Sequence, residues 1–101
     1  MIVEYIRYRV AESDGEKLVE AYEKAAQPLF ASGHCRSFEV TRCVDEPEVF
    51  VVRIEWDSAE GHLQGFRTGP QFPAFFALVR PFAQSIEEMR HYEVQTSHAG
   101  A

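Results

Sequence analysis

The chain has 101 residues, 16 acidic against 10 basic for a formal charge of −6, and 46% apolar side chains. This length allows one domain with an adequate core and leaves no room for a second. The acidic balance, with Lys17 and Lys24 the only lysines, excludes a protein that works by neutralising phosphates, because nucleic-acid affinity comes from clustered cations that release counterions.

Residues 2–10 alternate Ile2, Glu4, Ile6, Tyr8 and Val10 against Val3, Tyr5, Arg7 and Arg9, the pattern of a first strand. Ser13 with Glu16 reads as a capping box, opening a helix over 14–27 that Pro28 ends; Leu18, Tyr22, Ala25 and Leu29 recur at helical spacing. After the Ala31-Ser32-Gly33 turn, residues 35–44 and 49–56 read as two strands. The connection Asp45-Glu46-Pro47 is short enough to make them an antiparallel hairpin. In the second of these, Phe50, Val52, Ile54 and Trp56 share an apolar face, so Trp56 points inward, while Arg53 and Glu55 share the mixed face and are placed to pair. Ser58 alone, or Asp57 with Glu60, caps a short helix carrying His62, Leu63 and Phe66, which stops at Thr68-Gly69-Pro70. Phe72, Phe75, Phe76 and Val79 then mark a helix apolar nearly all round, which needs cover on more than one side. Residues 86–94 form the last strand, and 96–101 a flexible tail beyond a single domain of 1–95.

This order predicts an α+β, ferredoxin-like βαββαβ fold, with a four-stranded antiparallel sheet and helices on one face. The other face, with Val3, Tyr5, Val49, Val51 and Met89 beside Arg7, Arg9, Arg53 and His91, has no cover within the chain. A homodimer through that open face is the simplest closed arrangement. The apolar run 72–79 is far below the roughly 18–20 residues of a membrane span, and the N-terminus lacks a leader pattern, so we expect a cytoplasmic protein with no membrane contact. Cys35 and Cys43, eight steps apart on one strand, are separated by ~26 Å. They stay free thiols, as in a reducing compartment. His34-Cys35 point oppositely on a strand and no paired His or Cys spacing occurs, so no metal site is expected.

Ile54-Glu55-Trp56-Asp57-Ser58, the short helix after it, and Gly69-Pro70-Gln71-Phe72 leading into an aromatic helix together resemble the antibiotic biosynthesis monooxygenase (ABM) domain. The resemblance covers nearly the whole chain and is most specific from Arg53 to Phe72. It implies a dimeric α/β barrel and an activity like those of the family, which includes cofactor-free oxygenases of quinols and anthrones as well as haem-degrading enzymes. It also implies a first-strand asparagine acting with a tryptophan like Trp56, and a histidine late in the second helix. This chain has the tryptophan but no asparagine, and Phe66 stands at the histidine position with His62 one turn earlier. The segments EWDSAEGHL and EEMRHYE resemble sequences found near or fused to truncated haemoglobins, which implies a haem-protein partner.

Cofactor-free oxygenation needs a base to make the substrate electron-rich, an apolar enclosure that excludes water, and a group to hold the substrate anion. His62 and Trp56 are the expected catalytic residues, with His62 the base. Phe66, Phe72 and Phe76 are expected to enclose the substrate, and Tyr22 or Arg80 to anchor it. The expected activity is a cofactor-independent monooxygenation of a small aromatic quinol by dioxygen. A non-enzymatic ligand-binding or interaction module on the same fold is the alternative, with haem breakdown third.

Overall fold

The computed structural model describes residues 1–100. Strands β1 (Ile2–Arg9), β2 (Cys35–Arg42), β3 (Val49–Trp56) and β4 (Ile86–Glu93) form one antiparallel sheet in the order β2-β3-β1-β4. Helix α1 (Gly15–Ala31) joins β1 to β2. A π-helical segment (Gly61–Phe66), helix α2 (Phe72–Val79) and a 3-10 run (Arg80–Ser85) join β3 to β4. This is the expected ferredoxin-like arrangement; the sheet is open and does not close on itself. Among the described residues no helix is long and apolar enough to cross a membrane.

The periodicities build the core directly. Leu18, Tyr22, Ala25 and Leu29 of α1 are buried together with Ile6, Tyr8, Phe50, Val52, Ile54 and Trp56 of the sheet. Removing each large apolar side chain from water contributes about 1.5–3 kcal/mol. β3 has the bounds read from sequence, and Arg53 and Glu55 do pair, at 2.8 Å. Cys35 and Cys43 are free thiols, and burial pushes the Cys35 thiol up to about 11.

Several local expectations are corrected. Pro28 does not end α1, which continues to Ala31. A proline in the last turn forfeits one N–H bond, and here its ring is buried. The helix instead ends at Ser32, whose hydroxyl donates to the Leu29 carbonyl at 2.6 Å, followed by Gly33 at φ 76°. The Ser13–Glu16 capping box does not form, because Glu12–Asp14 make a 3-10 turn that places Ser13 inside it. α2 is covered mainly on one side: Phe75 and Val79 are buried, whereas Phe76 is 43% exposed.

The largest correction concerns β4. Tyr8 pairs with Ile86 but Arg7 pairs with Glu88, so Glu87 is an extra residue in a bulge. Met89 and His91 therefore pair with Ile6 and Glu4 and lie on the helix-covered side, not on the open face. Val3 and Val49, expected to be uncovered there, are already buried within the chain. What the open face exposes is Tyr5 against Tyr92, ring centroids 5.5 Å apart, among ion pairs of Arg7 with Glu87 and of Arg9 with Glu46, Glu48 and Glu87. The chain after β4 is held at its start by the Val94 N–H donating to the Met1 carbonyl at 3.1 Å. The last residue of the expected tail, Ala101, lies outside the described residues.

Candidate active site

β1 sends Ile2, Glu4, Ile6 and Tyr8 toward the helices, and Glu4 is the charged one among them, 2% exposed. Across the β1–β4 pair it faces His91, whose Nε2 lies 3.7 Å from Glu4 Oε2. Trp56, at the end of β3, donates its Nε1–H to Glu4 Oε1 at 3.1 Å. The fourth member comes from the π-helical segment. His62 stacks on the Trp56 indole, with ring centroids 4.2 Å apart and planes at 14°, and its Nδ1 lies 2.7 Å from His91 Nε2. Its Nε2 is 3.7 Å from Glu4 Oε1.

Local chemistry explains how His62 arrives there. Ser58 caps the segment as expected, its Oγ accepting the Gly61 N–H at 2.8 Å. The Arg67 N–H then reaches the His62 carbonyl at 3.0 Å, a five-residue bond that widens the helix. Such π segments recur at functional sites. Outside it, the His34 ring lies against Gly61 and Gly65, where a Cβ at Gly65 would overlap it, and His34 Nδ1 sits 2.9 Å from Asp57 Oδ2.

Burial dominates the electrostatics. It pushes the Glu4 carboxyl above its ordinary range, against the opposing pull of His91's charge and the Trp56 N–H. His62 moves the other way, to about 3, because burial and then the charges of His91 and Arg67 disfavour the imidazolium. His62 is thus a neutral ring, and the group brought nearer to neutral pH is Glu4. With His91 Nε2–H donating to His62 Nδ1, the His62 Nε2–H faces Glu4, a proton placement that suits all three groups.

Glu4, Trp56 and His62 of this cluster line an apolar cavity of about 160 Å³, and His91 stands behind them, outside its wall. Trp56, Phe66, Phe72, Phe75 and Phe76 form much of its wall, with Phe66 at the centre: its ring lies 5.1 Å from Trp56, 5.5 Å from Phe72 and 5.2 Å from Phe75. Tyr8 and Tyr22 also line it, their hydroxyls 2.6 Å apart. One hydrogen serves that contact, so the second hydroxyl hydrogen is left for another acceptor.

The structure therefore brings together His62, Trp56, Phe66, Phe72, Phe76 and Tyr22. Arg80 is exposed and outside the cavity wall, while Arg67 contributes to it. Sequence reasoning missed Glu4, Tyr8, Arg67 and His91, and its search for metal-ligand spacing overlooked that Glu4, His62 and His91 present ligand atoms within 4.8 Å of one another. Glu4 carried a signal, a carboxylate on the inward register of an apolar strand. His91 carried none, because the bulge decides its side.

The profile of the antibiotic biosynthesis monooxygenase family matches residues 1–78. The chain is similar to the uncharacterised protein YczJ of Bacillus subtilis (strain 168), at 20% identity over 92% of this chain and 98% of that one. Among solved structures, a Bordetella bronchiseptica protein assigned by name to these monooxygenases superimposes with a TM-score of 0.77 at 15% identity, covering 94% of this chain and 97% of the other. A Chloroflexus aurantiacus protein of the same assignment gives 0.75 at 18% identity, covering 97% and 96%. A Bacteroides thetaiotaomicron protein of unknown function, described as a possible oxidoreductase, gives 0.71 at 19% identity, covering 92% and 96%. These structural likenesses establish the shared fold, and the profile match establishes the family: the chain belongs to the antibiotic biosynthesis monooxygenases.

Proposed function

We propose that this protein is a cofactor-independent oxygenase that takes a small aromatic phenol or quinol into the cavity and oxidises it with dioxygen. The observation that carries this reading is an aromatic cavity ending on a buried carboxylate whose pKa is raised by that burial. A cavity of about 160 Å³ suits one aromatic ring, since an engineered apolar cavity of about 150 Å³ holds benzene. Glu4 accepts the phenolic proton, and the resulting anion is electron-rich enough to pass an electron to dioxygen. For a one-ring quinol, one oxygen atom enters the ring to give a hydroxyquinone and the other leaves as water with two substrate hydrogens, so no external reductant is needed.

In this reading Trp56 holds Glu4, the neutral His62 orients the substrate oxygen with its ring held by His91, and Phe66, Phe72 and Phe76 exclude water. The Tyr8–Tyr22 pair offers its spare hydrogen to a second substrate oxygen. The base is Glu4 in place of the expected His62. A homodimer through the open face, in the reducing cytoplasm where Cys35 and Cys43 stay thiols, belongs to the same reading and is tested by sedimentation. Turnover under ¹⁸O₂ with one-, two- and three-ring quinols tests the activity: one labelled atom in the one-ring product supports it, and an unlabelled product or none refutes it.

The absence of any asparagine, with Glu4 as the first-strand partner of Trp56, favours a second reading, a ligand-binding module on the same fold. It predicts stabilisation by the same phenols without oxygen consumption.

A further inference from the structure

We infer that Glu4, His62 and His91 form a binding site for a divalent transition-metal ion of the zinc or cobalt type, with one coordination position open to the cavity. Three elements deliver the ligands, β1, the π-helical segment and β4, and their ligand atoms lie within 4.8 Å of one another. His62 Nδ1 and His91 Nε2 face each other at 2.7 Å, and Glu4 Oε2 lies 3.7 Å from His91 Nε2. An ion bound to two nitrogens and a carboxylate oxygen at about 2.0–2.2 Å in tetrahedral geometry sets its ligand atoms ~3.4 Å apart. Those two distances bracket that spacing and the whole set lies within 4.8 Å, so rotation of the two rings and of the Glu4 carboxylate brings the three ligands onto one ion.

The supporting shell is also present. Trp56 Nε1–H fixes Glu4 Oε1 and leaves Oε2 directed at His91, while the indole face holds the His62 ring. His91 is about a third exposed, 31% by its side chain, which gives an ion a route in. Arg67, in the same cavity wall, opposes a cation, and the Glu4 carboxylate offsets it. The ion takes the place of the proton shared between the two rings. It also occupies the groups that the proposed oxygenation uses, so metal-loaded protein is the inactive form under that reading.

The test is a Co²⁺ titration of chelator-treated full-length protein, read by the visible ligand-field bands and by metal content after desalting. The expected result is one ion per chain, with affinity lowered at least about tenfold in His91→Ala and in Glu4→Gln, and unchanged in His34→Ala and His98→Ala. His91 is partly exposed, so His91→Ala is the variant expected to keep its fold, checked by circular dichroism. No binding up to millimolar Co²⁺, or binding that persists in His91→Ala and Glu4→Gln, overturns the site. The readout needs no substrate: a protein that binds Co²⁺ but consumes no oxygen in its metal-free form refutes the proposed activity alone, and one that consumes oxygen when metal-free but ignores Co²⁺ refutes the metal site alone.

Discussion

His62 makes the fold acid-sensitive in a defined window. Buried against Trp56, it is held as a neutral ring with its pKa at about 3, whereas an unfolded histidine takes a proton near pH 6.5. Between those values the unfolded chain binds a proton that the folded chain refuses, so stability is lost as pH falls from 6.5 toward 3. Linkage puts the loss between pH 7 and pH 5 at ~2 kcal/mol, a large share of the roughly 5–15 kcal/mol of a typical domain. Glu4 acts in the opposite sense. Its raised carboxyl contributes stability that is present below the unfolded glutamate pKa and is lost as pH rises through the folded one. The clean comparison is therefore Glu4→Gln against the double variant Glu4→Gln/His62→Gln, since the causes that depress His62 are burial, His91 and Arg67, none of which the first substitution removes. Urea denaturation of both at pH 7 and pH 5 should show the single variant losing about 2 kcal/mol more than the double. Equal losses, within about 0.5 kcal/mol, would mean that His62 is protonated in the fold, and the electrostatic account of the site would fail.

Three further outcomes are expected. Trp56→Phe removes the donor to Glu4 Oε1, which should cost about 1–3 kcal/mol and raise the Glu4 pKa further; an unmoved Glu4 carboxyl titration by NMR contradicts this. A one-ring phenol at a hundred times its dissociation constant should stabilise the protein by about 2.7 kcal/mol in thermal denaturation, while a three-ring analogue should not; equal stabilisation by both rejects the cavity's size limit. Gly65→Ala should cost about 1–3 kcal/mol through overlap with the His34 ring, and His34→Ala should relieve most of that cost. A penalty that survives in the double variant would place the strain in the π-segment backbone instead.

How far the sequence reached depends on whether a feature is local and periodic. The inward faces of α1 and β3, the Ser58 cap and the Gly33 turn follow from short-range pattern, and the structure keeps them. So does the aromatic wall, because Trp56, Phe66 and Phe72 fall on elements whose inward faces are set by period. The polar end does not follow from period. A single extra residue, Glu87, turns Met89 and His91 over, and alternation along β4 cannot register an insertion that exists only relative to β1. The pKa order of the site was equally hidden, since an ordinary histidine pKa makes His62 the natural base until its burial is known. Pro28 shows the converse, a strong local breaker overridden because it falls in the last turn, where its ring is buried.

The most direct test of the account is oxygen uptake by chelator-treated protein with a one-ring quinol, measured for the unaltered chain and for Glu4→Gln, with autoxidation subtracted. A positioned general base contributes about 10²–10⁴-fold. Saturable uptake that falls by at least about a hundredfold in Glu4→Gln, with the fold retained, is the predicted result. Uptake that is equal in the two proteins, or no higher than autoxidation in the unaltered one, contradicts it.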